Sequence, residues 1–545
     1  MWCRTPGSLS GRLTIAGLAS LAICLATSAA TPGIVAPDKA RSRAERALRE
    51  GDFSEAERRY RELLSKDAHD SDARLGLSQA LLKQQRLQDA YDHAARVIID
   101  DPLSARAHAL IGAAILASGD FRESVEEFRT ALSLDESEAM AVAGLAMIDF
   151  YENRLELSIK GLRRACSLAP GEPDYVFNLG QATARREQYK EAADAYERFL
   201  YMSSRTDTDR RDKIRGFIEF LRYLGKQSSL YDLAGANRTV VPFDSSDNRP
   251  TLLLRVNGEK TPLRFVLDTG SGMSVISDTT AKRLGIHPIA RGGMARAVGG
   301  LGRFEIVYGF LSSLEIGNVE VQHVPVFIRQ FYDEHAPVDG YLGISAILKF
   351  VATVDYGERT LTLDRQHGAN DLDLWSTVYR AVPKRPVGLD VDRFKGVEIP
   401  LRTTSSGFLS GEVRLEGTDK FWNFIIDTGA SVSVVSERLA AIDELSGYPE
   451  TDKLRVYGAA GITDNVRTLI LPYVMLGSLT QEKVNAAVLD LDPINETTGF
   501  RQSGILGGNF LRHFRVVLDF QRGVIRLEPL HKTAKAADGV RPDPL

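Results

Sequence analysis

The sequence predicts a multidomain chain in which an all-α array of helical hairpins is followed by an all-β region made of two similar lobes. Three observations predict it. From about Asp38 to Tyr201 the chain is rich in Ala, Leu, Arg and Glu, lacks strand-like alternation and repeats with a period of 34 residues. Past Gly235 it changes to short β-branched runs punctuated by glycine. Within that second region the same frame, a hairpin running into Asp-Thr-Gly with a later apolar-apolar-Gly, occurs twice. A length of 545 residues fits several units, because single cores stop growing at roughly 250–300 residues.

Residues 1–30 read as an export signal. Arg4 and Arg12 precede an apolar run from Leu13 to Ala26, which ends in the small residues Thr27, Ser28, Ala29 and Ala30. The run is shorter than the ~20 residues that span a bilayer, so cleavage after Ala30 is expected, with no membrane span afterwards. Bulky Ile23 before Cys24 argues against lipid attachment. The expected setting is a bacterial periplasm or the cell exterior. Cys3 and Cys24 would leave with the signal, making Cys166 the only thiol of the mature chain and excluding an intrachain disulfide. Cys166 lies among helical residues and reads as buried packing.

The repeats occupy residues 37–228. Phe53, Leu87, Phe121, Leu155 and Tyr189 follow one another at intervals of 34. Nine residues before them stand Ala44, Ser78, Gly112, Ala146 and Gly180, and three residues after them Ala56, Ala90, Ser124, Ser158 and Ala192. Small residues at two fixed places let paired helices approach closely while the larger anchor fills the space beside them. This period, with Pro102 and Pro170 near repeat ends, resembles the tetratricopeptide repeat family over about 165 residues. The stretch from Asp207 to Leu224 reads as a final helix covering the last apolar face. The resemblance implies a concave surface that takes a protein partner or the substrate; a spacer or an intramolecular support is the alternative.

In the β region, Leu252 to Val256 and Leu263 to Leu267 read as strands joined by a two-residue turn at Asn257-Gly258, leading into Asp268-Thr269-Gly270-Ser271. The second copy has Glu416-Gly417 at its turn and Phe424-Ile425-Ile426 leading into Asp427-Thr428-Gly429-Ala430. Ten residues separate hairpin Gly from Asp in both. Tyr341-Leu342-Gly343 and Ile505-Leu506-Gly507 are each followed twelve residues after the Gly by Asp355 and Asp519. Expected boundaries are 240–368 for the first lobe, 369–394 for a linker with Pro383, Pro386 and Gly388, 395–530 for the second lobe and 531–545 for a flexible tail.

An isolated Asp-Thr-Gly is a common turn, but two in one duplicated frame resemble aspartic peptidases of the retropepsin and pepsin type, over roughly residues 240 to 530. The resemblance implies hydrolysis of peptide bonds by water, with Asp268 and Asp427 as the catalytic pair. Two carboxylates ~3 Å apart share one proton and so supply base and acid together. It further implies that Thr269 and Thr428 brace the two loops across the lobe interface, and that Gly270 and Gly429 permit tight backbone beneath the carboxylates. Ser271 differs from Ala430, and a hydroxyl donating to Asp268 would hold it in its charged form, leaving the proton on Asp427. Gly272 departs from the family, which usually has a small polar or acidic residue there. Candidate flaps are Ala297-Val298-Gly299-Gly300 and Tyr457-Gly458-Ala459-Ala460-Gly461, whose glycines suit a mobile tip.

Both copies share one chain, so an intramolecular pseudo-dimer is the economical arrangement, with a homodimer pairing like lobes as the alternative. Other chemistries fit less well. No His stands in ligand-like spacing with Cys or Glu, and no cofactor or metal is called for. Gly292-Gly293 and Gly507-Gly508 lack a following Lys-Ser/Thr, and no Gly-x-Ser-x-Gly elbow has partners. A net charge of −4 gives no footprint for nucleic acid. With 43% hydrophobic and 26% charged residues the composition is ordinary for a globular protein. The sequence therefore points to an exported aspartic endopeptidase whose array recruits a partner or substrate. The alternative is a non-catalytic scaffold that captures peptides.

Overall fold

A computed structural model describes residues 39–204, 208–300, 303–332, 337–365, 396–449 and 452–530. The expected signal with Cys3 and Cys24, the linker and the tail lie outside them.

Ten helices form five antiparallel pairs: Lys39–Glu50 with Phe53–Lys66, Ser71–Lys83 with Leu87–Asp100, Ala105–Ser118 with Phe121–Leu134, Ala139–Tyr151 with Leu155–Leu168, and Pro173–Arg185 with Tyr189–Met202. Each 34-spaced anchor is the first residue of the second helix of its pair. The chain reverses just before it, and the reversal has its own period. Gly51, Gln85, Gly119, Asn153 and Glu187, again 34 apart, all have positive φ, at 79°, 61°, 98°, 59° and 63°. Only two of the five are glycine, so in the other three repeats packing holds a side-chain-bearing residue in the left-handed region. The small residues behave as expected. Ala44, Ser78, Ala56, Ala90, Ser124, Ser158 and Ala192 are fully buried. A Cβ at Gly112 would lie 2.8 Å from the Phe128 ring. Cys166 is buried, and burial pushes its thiol pKa up.

Helix Thr208–Leu224 closes the array, but it is shared rather than terminal. Ile214, Ile218 and Leu221 pack with Phe199 and Tyr196 of the last pair. Phe220 and Leu224 on its other face join the core of the first lobe, where the Phe220 and Tyr308 rings stack 4.4 Å apart. Between them Gly216 lies directly on the Arg291 carbonyl, where a Cβ would overlap it.

The β region has two lobes across a shared sheet of six strands. Their order is Val397–Pro400, Val524–Pro529, Phe514–Asp519, Phe350–Asp355, Thr360–Arg365 and Arg238–Asp244. The two central strands come from different lobes and pair antiparallel, with Val351 opposite Asp519 and Asp355 opposite Arg515. The duplicated Asp355 and Asp519 thus flank an approximate twofold, and the lobes associate within one chain. The first lobe begins earlier than its sequence boundary, because strand Asp232–Gly235 pairs with Val319–Gln322.

In each lobe a hairpin leads to the Asp: Thr251–Val256 with Leu263–Asp268, and Leu409–Leu415 with Phe421–Ile426. The connection at Asn257-Gly258 is longer than the expected two residues. Both residues have positive φ and Glu259 N–H donates to Val256 O at 2.9 Å, so the turn forms. However, the strands re-pair only from Leu254 opposite Leu263, since Asn257 is drawn to Ser312 and Ser313 of a neighbouring strand. Among the described residues no helix is long and apolar enough to cross a membrane.

Candidate active site

Asp268 ends one strand and Asp427 follows another, each pinned by a parallel partner: Asp268 pairs with Gly343, and Ile426 with Leu506. The apolar-apolar-Gly elements therefore lie directly beneath the Asp loops. Ser274 and Ser433 hydroxyls accept from Gly343 and Gly507 N–H, both at 3.1 Å. Ile344 N–H donates to Ser271 O at 2.9 Å, and Gly508 N–H to Ala430 O at 2.7 Å. Ser345 N–H donates to Gly272 O and Asn509 N–H to Ser431 O, both at 3.1 Å. Gly272 is thus held as firmly as its counterpart, and its lack of a side chain has a cause. A Cβ there would lie 2.8 Å from Ser406 O.

The two loops interlock through their threonines. The Thr269 hydroxyl donates to Ile426 O at 2.7 Å and accepts from Thr428 N–H at 3.0 Å. The Thr428 hydroxyl donates to Leu267 O at 2.6 Å and accepts from Thr269 N–H at 3.1 Å. Both threonines are buried, at 1% and 0% exposure, so each hydroxyl depends on the opposite lobe for its partners. The glycines allow the carboxylates to meet. A Cβ at Gly270 would lie 2.5 Å from Asp427 Oδ2, and one at Gly429 2.7 Å from the Asp268 carboxyl carbon.

Asp268 and Asp427 are within hydrogen-bonding reach of one another, and both pKa values lie above the ordinary range. For Asp268 burial is the largest cause, followed by the Asp427 charge and the hydrogen bond to it. For Asp427 burial also dominates, but its Oδ1 accepts from Gly429 N–H at 2.7 Å and Ala430 N–H at 3.2 Å, which favours the charged form. These donors favour the charge on Asp427 and the shared proton on Asp268, although Gly270 N–H also reaches Asp268. This reverses the expectation from Ser271, whose hydroxyl turns away and donates to Met273 O at 2.7 Å.

Both candidate flaps are hairpin tips, and they meet. The first joins Ala290–Arg296 to Arg303–Ile316, the second Leu454–Gly458 to Gly461–Val466. Ala460 N–H donates to Gly299 O at 3.2 Å and Gly300 N–H to the Thr463 hydroxyl at 2.7 Å. A Cβ at Gly299 would lie 2.6 Å from Gly458 Cα, so backbone approaches backbone. Val298 reaches the apolar cluster of the second lobe, and Arg296 pairs with Glu496 there at 2.6 Å. Tyr457 stands beside Gly458 in the second tip and lines the same cavity as the Asp pair. That cavity, about 4830 Å³, continues onto the array, where Met147, Tyr175 and Asn178 line it.

One residue of the cleft escaped the sequence. Arg329 lies close enough to Asp268 for each charge to act on the other. The frame would have marked it, since it follows Asp268 by 61 residues just as Leu489 follows Asp427 by 62, but Arg against Leu breaks the likeness.

Protein-family models match both regions of the chain. A family model described as aspartyl protease matches residues 253–346 and 411–510. Two tetratricopeptide repeat models match residues 47–114 and 144–205. The chain thus carries tetratricopeptide repeats and an aspartyl protease domain. No curated protein matches it. Among solved structures, an aspartic proteinase from Irpex lacteus is 14% identical with a TM-score of 0.35, covering 55% of this chain and 98% of its own. MamA from Desulfovibrio magneticus RS-1 is 23% identical with a TM-score of 0.22, covering 30% and 92%. A thermophilic TPR protein of Thermus thermophilus is 14% identical with a TM-score of 0.29, covering 34% and 97%.

Proposed function

We propose that this chain is an exported aspartic endopeptidase that hydrolyses peptide bonds with water activated between Asp427 and Asp268, its repeat array presenting a protein partner or the substrate. The observation that carries the reading is the buried carboxyl pair held by reciprocal threonine bonds. A pair kept by desolvation with one proton between two oxygens is poised for acid and base work at once.

In this reading a water oxygen bonds to the scissile carbonyl carbon as one of its protons passes to Asp427, while the proton of Asp268 moves to the carbonyl oxygen. On collapse the carbon–nitrogen bond breaks. The departing nitrogen takes the proton from Asp427, and the re-forming carbonyl returns one to Asp268, so the pair ends as it began. The meeting flaps would hold an extended peptide over the pair and exclude bulk water. Export rests on the apolar leader at residues 1–30.

A degenerate peptide library, digested with and without pepstatin, tests the activity. Cleavage by the wild type is expected, with Asp268→Asn and Asp427→Asn each lowering it by about 10²–10⁴-fold or more. Undiminished cleavage by either variant, or none by the wild type between mildly acidic and neutral pH, would overturn the reading.

A further inference from the structure

The duplication supplies an internal control for what lines the two sides of the cleft. In the first lobe, strand Ser274–Ser277 pairs in parallel with the strand ending at Arg329, placing Arg329 opposite Ser277. In the second lobe the same pairing places Leu489 opposite Ser436. The surroundings differ accordingly. Leu489 is 8% exposed and belongs to an apolar cluster with Val434, Val466 and Ile505, against which Val298 of the opposite flap packs. Arg329 is half-buried, and its guanidinium lies over the Phe304 ring at 5.0 Å. Phe331 and Tyr341, edge to face at 5.1 Å, line the same region.

The guanidinium has more bonding capacity than the fold uses. Its Nε is buried without a hydrogen-bond partner. Among the described residues no carboxylate forms an ion pair with it, although ion pairs engage most other arginines of this lobe, including Arg255, Arg283, Arg291 and Arg296. Burial pulls its pKa down, while Tyr341 and Asp268 pull it up. A guanidinium whose Nε is out of water and without a hydrogen-bond partner among the described residues, its face resting on a ring, is a fork open to a planar anion.

We infer that the cleft selects a polypeptide with a carboxylate side chain on one side of the scissile bond, received by Arg329, and an apolar side chain on the other, received by the pocket around Leu489. This rests on the proposed peptidase activity and names its substrate class. Phe304, Phe331 and Tyr341 would exclude water around the ion pair, where a carboxylate and its amide isostere are strongly distinguished. The apolar pocket discriminates by size and more weakly.

The test uses peptides that pair an acidic residue with a Leu across the cleavable bond, against counterparts with Asn or Gln in place of the acid. The wild type should prefer the acidic member by at least about tenfold in kcat/KM, a difference of ~1.4 kcal/mol. Arg329→Met should erase the preference, Arg329→Lys should keep some of it, and Arg329→Glu should transfer it to Lys-bearing peptides. An arginine that acts only on Asp268 would change acidic and amide peptides equally, so an unchanged ratio in Arg329→Met overturns the inference. Should the reversal variant not fold, Met and Lys decide alone. Absence of any cleavage fails the activity; fluorescent peptides bound to Asp427→Asn protein then still report on Arg329, and equal affinity for acid and amide overturns the inference separately.

Discussion

Asp268 and Asp427 occupy matching loops yet are bonded differently, because Asp427 collects the N–H groups of Gly429 and Ala430 on one oxygen, which favours the charge there. The tripeptides cannot display this asymmetry. Ser271 is the obvious donor in sequence, but the Met273 carbonyl two residues on offers it a closer partner, and such local competition is decided by loop geometry. The threonine bonds were anticipated only through the resemblance that the duplicated Asp-Thr-Gly frame carries, whereas Arg329 was not anticipated, since its counterpart is Leu489. The sign of the pH effect follows from the raised Asp268 pKa. In the unfolded chain this group titrates near ~3.9. Its protonated form is favoured in the fold, so its contribution to stability is full below that pH and is lost as pH rises through the folded value. Asp268→Asn mimics the protonated group and should melt higher than the wild type at neutral pH, by at least ~2 °C if the relief reaches about 1 kcal/mol. The gap should close as pH falls towards ~4, where the unfolded carboxyl itself takes up its proton. Scanning calorimetry across pH checks this, and a larger gain from Asp427→Asn would place the proton on the other carboxyl.

At the scale of elements, the two flap tips were visible as glycine-rich turns, and their joining across the cleft was not. Each tip is local and follows from backbone that needs positive φ, as at Gly299 and Gly300, with φ of 75° and 103°. Their meeting depends on how one lobe stands over the other, which the six-stranded shared sheet and the interlocked threonine loops determine. The hairpin at Asn257 shows the same limit, because its turn forms as signalled but the strand before it pairs with a third strand, Arg255 opposite Glu315 and Val256 opposite Leu314. Gly300→Val offers a direct test of tip contact. A Cβ at Gly300 would lie 2.6 Å from Gly461 N, and a β-branched residue resists this φ. The change sits at an exterior tip, so the lobes should still fold. KM for a peptide substrate should rise by about tenfold, equivalent to ~1.4 kcal/mol, through lost closure. Steady-state kinetics with a matched melting curve measures both, and an unaltered KM would show that the tips need not meet for binding.

Across the whole molecule, the array is at once a support and an open surface. Phe500 of the second lobe inserts among the helices, edge to face with Phe121 at 4.8 Å and Tyr151 at 5.0 Å. Around it, Arg402 covers the Phe121 ring at 3.9 Å, Asn423 donates to Gly119 O at 3.1 Å and Arg501 N–H to Ala117 O at 2.9 Å. Arg185 lies 3.7 Å over the Phe150 ring and donates to Phe150 O at 3.3 Å and Thr403 O at 3.4 Å. Burial lowers its pKa to about 9, so it remains charged at neutral pH. None of this was legible from the repeat pattern, since an aromatic that fills a lobe and one that fills a neighbouring domain read alike. The array thus has two aspects: its loops and helix ends support the lobes, while Asn178 and Gln181 on one of its helices line the cavity that the Asp pair shares. Removing the inserted ring separates these roles. Phe500→Ala should cost about 3–5 kcal/mol at the interface through lost burial and the cavity left behind. Calorimetry of the full chain should resolve a single transition into two as array and lobes uncouple, while hydrolysis of short peptides persists, because Phe500 belongs to neither Asp loop nor flap. A variant that still melts in one step at the wild-type temperature would mean that the helix Thr208–Leu224, through Phe220 on Tyr308, joins the domains without help from Phe500.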